Sequence, residues 1–273
     1  AILQESDTHT SEAAQNALGS HIGAIITSPL GRELSDDFKV ICEHLGNSWP
    51  TARDELKRLK NYHKPLAPDQ AEILDQWLDL LKPSDLATRL IDIVALPGWH
   101  QEELPDGGYK DVSEEAAILL AEEFYDSDAP WKAHLDSLLH GDQQQAHAFG
   151  KRCMELDPNP ETLIQEAISA YKGLDSDHRN SQLIRGMISS VAGTPSAEAI
   201  LDSIAQDLEL RDDLLVPLST AATSSIRDFD RVVDLVKAGE LPPEVVDDFS
   251  VRRISDKFDP NHFKERLVSL VEA

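Results

Sequence analysis

The sequence predicts an all-α protein, built as an α-solenoid or irregular array of antiparallel helix pairs. Three observations lead there. Period-two alternation is never sustained along the chain, so no sheet face is patterned. Apolar residues recur at helical spacing between short turns marked by proline or glycine. Aromatic residues make up only 5% of a chain that is 41% hydrophobic. The core therefore rests on Leu, Ile, Val and Ala, which suit helix-on-helix packing.

The N-terminal part opens with the best strand candidate, HIGAIITS from His21 to Ser28, where β-branched residues cluster. SDDFKVICEHLGN follows, with Ser35 as the expected N-cap and Gly46 and Asn47 at its end. PTARDELKRLKNYHK places Pro50 in a first turn and its basic residues toward the C-terminus, as the helix dipole favours. APDQAEILDQWLDLLKP aligns Ile73, Leu74, Trp77, Leu78 and Leu81 on one stripe, which predicts Trp77 in the core. SDLATRLIDIVALP begins at Ser84 as its expected cap and stops at Pro97 and Gly98.

GWHQEELPDGGYKD, residues 98–111, then reads as the one clear loop, with Asp106-Gly107-Gly108 as a turn. It divides the chain into an N-terminal helical subdomain (1–97), an acidic glycine-containing loop (98–112) and a C-terminal helical-repeat subdomain (113–273). Helical segments resume at SEEAAILLAEEFYDS and APWKAHLDSLLH and run to DPNHFKERLVSLVEA at the C-terminus.

One stretch, GDQQQAHAFGKRCMELDPNP, carries a repeat-like spacing: Gly141, Ala146, Cys153 and Pro158. It resembles a tetratricopeptide unit, with glycine at the inter-helix turn, small residues at the helix crossing and proline at the close. The first helix of that unit would span 130–140. His134 stands where a small residue belongs, and the pattern does not return at a fixed step. The resemblance is therefore to an irregular tetratricopeptide- or HEAT-like array.

A longer likeness runs through PSDLATRLIDIVALPGW, RNSQLIRGMISSVAGTPSAEAILDSIAQD and VDLVKAGELPPEVVDDFSVRRISDKFDPNHFKERL. These segments are similar in order to the C-terminal helical region of large bacterial STAND-type NTPases in signalling and anti-phage defence. That resemblance implies a helical platform that senses or docks a partner, with nucleotide chemistry elsewhere in a longer protein. The chain itself contains no GxxxxGK[ST] phosphate loop. It also begins without Met, which fits a piece of something longer.

Charge limits the partners. Fifty acidic residues against 25 basic ones give a formal net charge of −25. Such a field repels phosphate backbones and anionic membranes, so neither nucleic acid nor membrane is an expected partner. No apolar run reaches the ~20 residues of a membrane span. Cys42 and Cys153 lie far apart inside helical patterns, which predicts buried free thiols and a cytoplasmic protein.

Catalytic chemistry finds no foothold. The sequence has no HExxH and no GxSxG, and its adjacent carboxylates point in different directions on a helix. No cofactor is expected. The expected function is thus non-catalytic: a protein-interaction or sensor region that binds a protein or peptide. Candidate contact residues are Trp99, His100, Glu102, Glu103, Asp106 and Tyr109 in the irregular segment, since function concentrates in loops on a rigid scaffold. Lys57, Arg58 and Lys60, with Lys64, could add a small basic patch. Two alternatives stay open. One is an all-α metal-dependent enzyme with a carboxylate site, for which Asp75 and Asp79 flank the Trp77 stripe but suit its outer face. The other is an acidic nucleic-acid mimic or inhibitor, which would need its carboxylates gathered on one ribbon.

Overall fold

The computed structural model describes residues 8–46, 49–62, 66–83, 85–95, 101–103, 108–126, 131–222, 226–249 and 259–271. Helix dominates them, so the protein is all-α, and strand among the described residues is limited to one short pair. The chain divides into two compact units, residues 1–89 and 90–273.

The first unit holds α1 (Thr8–Thr27), α2 (Leu30–Glu33), α3 (Ser35–Leu45), α4 (Pro50–Tyr62) and α5 (Pro68–Leu80). Helix α1 packs on α4, and α5 packs on both α3 and α4. Glycine permits the first contact: a Cβ at Gly19 would lie 2.9 Å from the Ala52 nitrogen and from Trp49 Nε1. Trp49 is buried and donates from Nε1 to the Gln15 carbonyl at 2.9 Å, so its one polar atom is satisfied. The core runs through Ile22, Ile26, Cys42, Leu56 and Leu74, with Phe38 stacked on Trp77 at 5.1 Å. Trp77 is buried, as the α5 stripe predicts.

Two expectations fail in this unit. HIGAIITS is the C-terminal part of α1, not a strand. Ile22 and Ile26 are buried at one-turn spacing, so helical packing overrides the β preference of branched side chains. Ser35 lies inside α3, and the cap position is Leu34, which makes no side-chain cap bond. Helix α2 runs almost directly into α3, leaving no extended residue to serve as a cap.

Helix α6 (Leu86–Val94) spans the boundary between the units. Ser84 lies outside the described residues, and Asp85 instead accepts from the Thr88 N–H at 2.8 Å. In the second unit, the segment expected as an acidic loop contains an antiparallel hairpin. Strand β1 (Gln101–Glu103) pairs with β2 (Tyr109–Asp111) in the register Gln101 to Asp111. Asp111 then caps α7 (Val112–Asp126) by accepting from the Ser113 and Glu114 N–H groups at 3.0 and 3.2 Å.

The expected helix over 130–140 is a 3₁₀ turn (Trp131–His134) followed by the one-turn α8 (Leu135–Leu138). Trp131 turns into the core there, edge-on to Phe149 at 5.6 Å. Next come α9 (Ala146–Leu156), α10 (Pro160–Gly173), α11 (Gln182–Ser190) and α12 (Pro195–Gln206). Thr194 caps α12 by accepting from the Ala197 N–H at 3.2 Å. After α13 (Leu208–Leu210), a π-helical turn at Arg211–Leu215 leads into α14 (Val216–Ala222). Pro217 explains the wide turn: its ring would clash with the carbonyl four residues back in a regular α-helix. Helix α15 (Ile226–Lys237), a 3₁₀ segment (Pro243–Asp248) and α16 (Pro260–Val271) complete the unit.

The largest contacts in this unit skip at least one helix, and consecutive helices add smaller ones. Helix α9 packs on α7 and α11, and α11 packs on α14. Helix α14 packs on α15, which carries α16.

Candidate functional site

The site begins with the α9–α11 crossing, because that crossing fixes the elements on either side of it. A Cβ at Gly186 would lie 2.0 Å from the His147 carbonyl oxygen. One at Gly150 would lie 2.5 Å from the Leu183 carbonyl oxygen. The two helices therefore meet main chain on main chain, which only residues without a Cβ allow.

The turns preceding α9 and α11 are joined as well. The Gly141 N–H donates to the His178 carbonyl at 2.9 Å, and the Asn180 N–H donates to the Leu139 carbonyl at 2.7 Å. His140 and His178 stack at 5.2 Å across this bridge. Gly141 has φ +73°, a backbone state that favours glycine.

Charged pairs repeat the pattern. Arg152 on α9 reaches Glu122 on α7 at 2.8 Å, 30 positions away. Arg179 reaches Glu209 at 3.0 Å, again 30 positions away, and Asp213 at 3.1 Å, 34 away. Arg231 reaches Glu198 at 2.6 Å and Asp202 at 2.9 Å, separations of 33 and 29. Each link joins elements of the second unit that lie about 30 positions apart in the chain.

Between α10 and α12 the surface opens into two adjoining cavities of about 240 and 440 Å³. They share Gln165 and Ile200 and form one groove. Its floor is apolar: Ile168, Ile200, Ile204 and Leu210 are buried. Its walls are small or polar, with Thr162, Gln165 and Ser169 on α10 and Ser196, Ala199 and Ser203 on α12. The first turns of both helices line one end, and Lys172 and Asp207 line the other. The two helices therefore run in the same direction.

Lys172 and Asp207 close that second end at 2.7 Å, with Glu209 adding a second carboxylate 3.5 Å from Lys172. The Lys172 ammonium, donating to Asp207, holds its carboxyl below the usual carboxylate value. On α10, Tyr171 is buried with the Arg179 guanidinium over its ring at 5.3 Å. Burial, and then the Asp213 carboxylate, pushes the Tyr171 hydroxyl up to about 12.

A separate recess of about 380 Å³ in the first unit is lined by Ile26, Ser28, Arg32, Asp69 and Gln70 among others. Its polar groups are already engaged. Arg32 pairs with Asp69, and Gln70 both donates to the Ile26 carbonyl and accepts from the Ala67 N–H.

The residues expected to contact a partner fall into three groups. Trp99, His100 and Asp106 lie outside the described residues, as does Lys64. Glu102 pairs in register with Lys110, and Glu103 with Tyr109, so the hairpin brings these positions together. Tyr109 is 67% exposed. Lys57, Arg58 and Lys60 share α4. Arg58 is held by Glu55 at 2.7 Å and Lys60 by Asp75 at 2.9 Å, so neighbouring acids neutralise both.

Sequence reasoning did not single out the groove. Its signal was present as a stripe of small polar side chains at helical spacing on each of α10 and α12. Such a stripe reads as an ordinary solvated face until the two helices are placed side by side.

Nucleophilic thiol chemistry finds no support. Both cysteines are buried and free. Burial, then the Glu43 carboxylate, pushes the Cys42 thiol up to about 12. Burial and then Asp157 raise Cys153 well above its ordinary value. Among the described residues, no three His, Cys, Asp or Glu side chains gather as a metal site requires, and no helix is long and apolar enough to cross a membrane.

Fold and site together define an all-helical protein with an open groove between two parallel helices. No protein-family model, curated protein or solved structure matches the chain.

Proposed function

We propose that this chain is a non-catalytic interaction or sensor region of helical-repeat type, binding a protein or peptide segment in the α10–α12 groove. The single observation that supports this reading is the set of links at 29 to 36 positions between helices of the second unit. Stacked pairs of that size are how tetratricopeptide- and HEAT-like arrays present grooves to a partner. The resemblance to the helical region of STAND-type NTPases fits the same role, as the docking or sensing part of a longer bacterial signalling or defence protein. The net charge of −25 disfavours nucleic acid across a broad surface.

Affinity capture with the chain and with its Gln165→Trp variant, read by quantitative mass spectrometry, tests the proposal. Gln165 is exposed, so the indole fills the groove without entering the core. A protein retained by the parent chain and released by the variant is the expected result. Identical captured sets, or a purified chain that turns over a substrate, would overturn it.

A further inference from the structure

Resting on the reading above, we infer that the α10–α12 groove takes a short cationic peptide segment with an apolar centre. Three features lead to that occupant. First, the floor offers Ile168, Ile200 and Ile204 at the bottom of an open recess, a seat for one or two apolar side chains.

Second, the wall groups have no internal work. Thr162, Gln165, Ser169, Ser196 and Ser203 make no side-chain hydrogen bond among the described residues, in contrast to Gln70 in the recess of the first unit. Amides and hydroxyls can both donate and accept, so they can serve the N–H and C=O groups of a bound main chain. Helix α12 has 12 residues. That makes it about 18 Å long, the reach of five or six extended residues.

Third, charge selects the sign. Lys172 is the groove's one basic group, and Asp207 and Glu209 already hold it. It has little to offer an acidic ligand. Glu161 lines the opposite end and enters no ion pair among the described residues, so it remains available to a cation. The net charge of −25 adds long-range attraction of the same sign.

The test uses two labelled seven-residue peptides. Each has a two-leucine centre, with lysine flanks in one and glutamate flanks in the other. Binding to the whole 273-residue chain is read by fluorescence anisotropy at physiological salt. The lysine peptide is expected to bind at least about tenfold tighter than the glutamate peptide. Ser203→Trp and Gln165→Trp each block the groove from one wall. Both positions are exposed, and neither change alters charge. General attraction to an acidic surface would survive them, whereas groove binding should fall about tenfold or more. Glu161→Lys should weaken the lysine peptide about fivefold.

Equal binding of both peptides, or no binding by either, overturns the assignment of a cationic occupant. Lysine-peptide binding that survives both tryptophan variants overturns the groove as the site. The interaction reading itself is judged separately, and fails if affinity capture finds nothing that the tryptophan variant releases or if the purified chain turns over a substrate.

Discussion

Gly186 meets the closest approach among the described glycines compared, and the cost of filling it can be foreseen. Its missing Cβ would sit 2.0 Å from a carbonyl oxygen that belongs to backbone, so no side chain can swing aside. Gly186→Ala should destabilise the protein by about 1–3 kcal/mol, as overpacking does, read as a lowered urea midpoint. Gly150→Ala should follow with a similar loss. Gly173 is the internal control. It is helical and would meet nothing within 4 Å, so Gly173→Ala should stabilise by about 0.5–1 kcal/mol.

The thiols and Asp207 give two further single-residue outcomes. Cys42 and Cys153 are buried with raised pKa values, so the native chain should not react with a thiol reagent at pH 8. Both should react on denaturation; rapid native labelling would contradict the burial. Asp207 is held below its ordinary value of 3.8 by Lys172. A depressed carboxylate contributes stability that is complete above 3.8 and disappears as pH falls through the lowered folded value. A carboxyl NMR titration should therefore place the Asp207 midpoint below 3.8, and Lys172→Met should return it toward that value. Little at this scale could be read in advance. Glycine in a helix signals a break as readily as a close approach, and only the partner helix distinguishes them.

Helices were the most legible level. Pro50, Pro160 and Pro195 begin α4, α10 and α12, as first-turn prolines should. The Trp77 stripe faces the core. Errors arose where a long-range contact outweighed a local signal. The isoleucines near His21 favour strand alone but lie in a helix that packs on α4. The Arg211–Leu215 turn widens because of a proline two residues beyond it. The groove was illegible for a related reason, since its walls come from α10 and α12, which no sequence pattern pairs.

Capping and pairing make two predictions for whole elements. Thr194→Ala removes the side-chain acceptor for the Ala197 N–H and should cost about 1 kcal/mol, measured by denaturant unfolding. Arg231 is 8% exposed and bonds Glu198, Asp202 and Asp228, joining α12 to α15. Arg231→Ala removes all three of these bonds; Arg227 still reaches Glu198 and Asp202, but the buried Asp228 loses this ion pair, and the change should cost about 3–5 kcal/mol, far more than an exposed charge.

Across the whole molecule, the division at Arg89 predicts separable unfolding. Leu56 is fully buried in the first unit, and Leu56→Ala should cost that unit about 2–5 kcal/mol. If each unit unfolds on its own, calorimetry will show one transition moved and the other in place. A single transition shifting as a whole would mean the two are one cooperative body. The all-α class was legible at this scale because it needs only the period of the apolar residues. Where the polypeptide divides was not, because α6 runs through the boundary without a proline or glycine to mark it.

The Gly150–Gly186 crossing also separates what can vary from what cannot. Peptide backbones are common to every amino acid, so the distance between α9 and α11 is insulated from mutation at all but a few positions. The stripes on α10 and α12 carry no comparable constraint. Descendants of this gene could exchange those surface residues freely, trading one ligand preference for another while the underlying frame kept its dimensions.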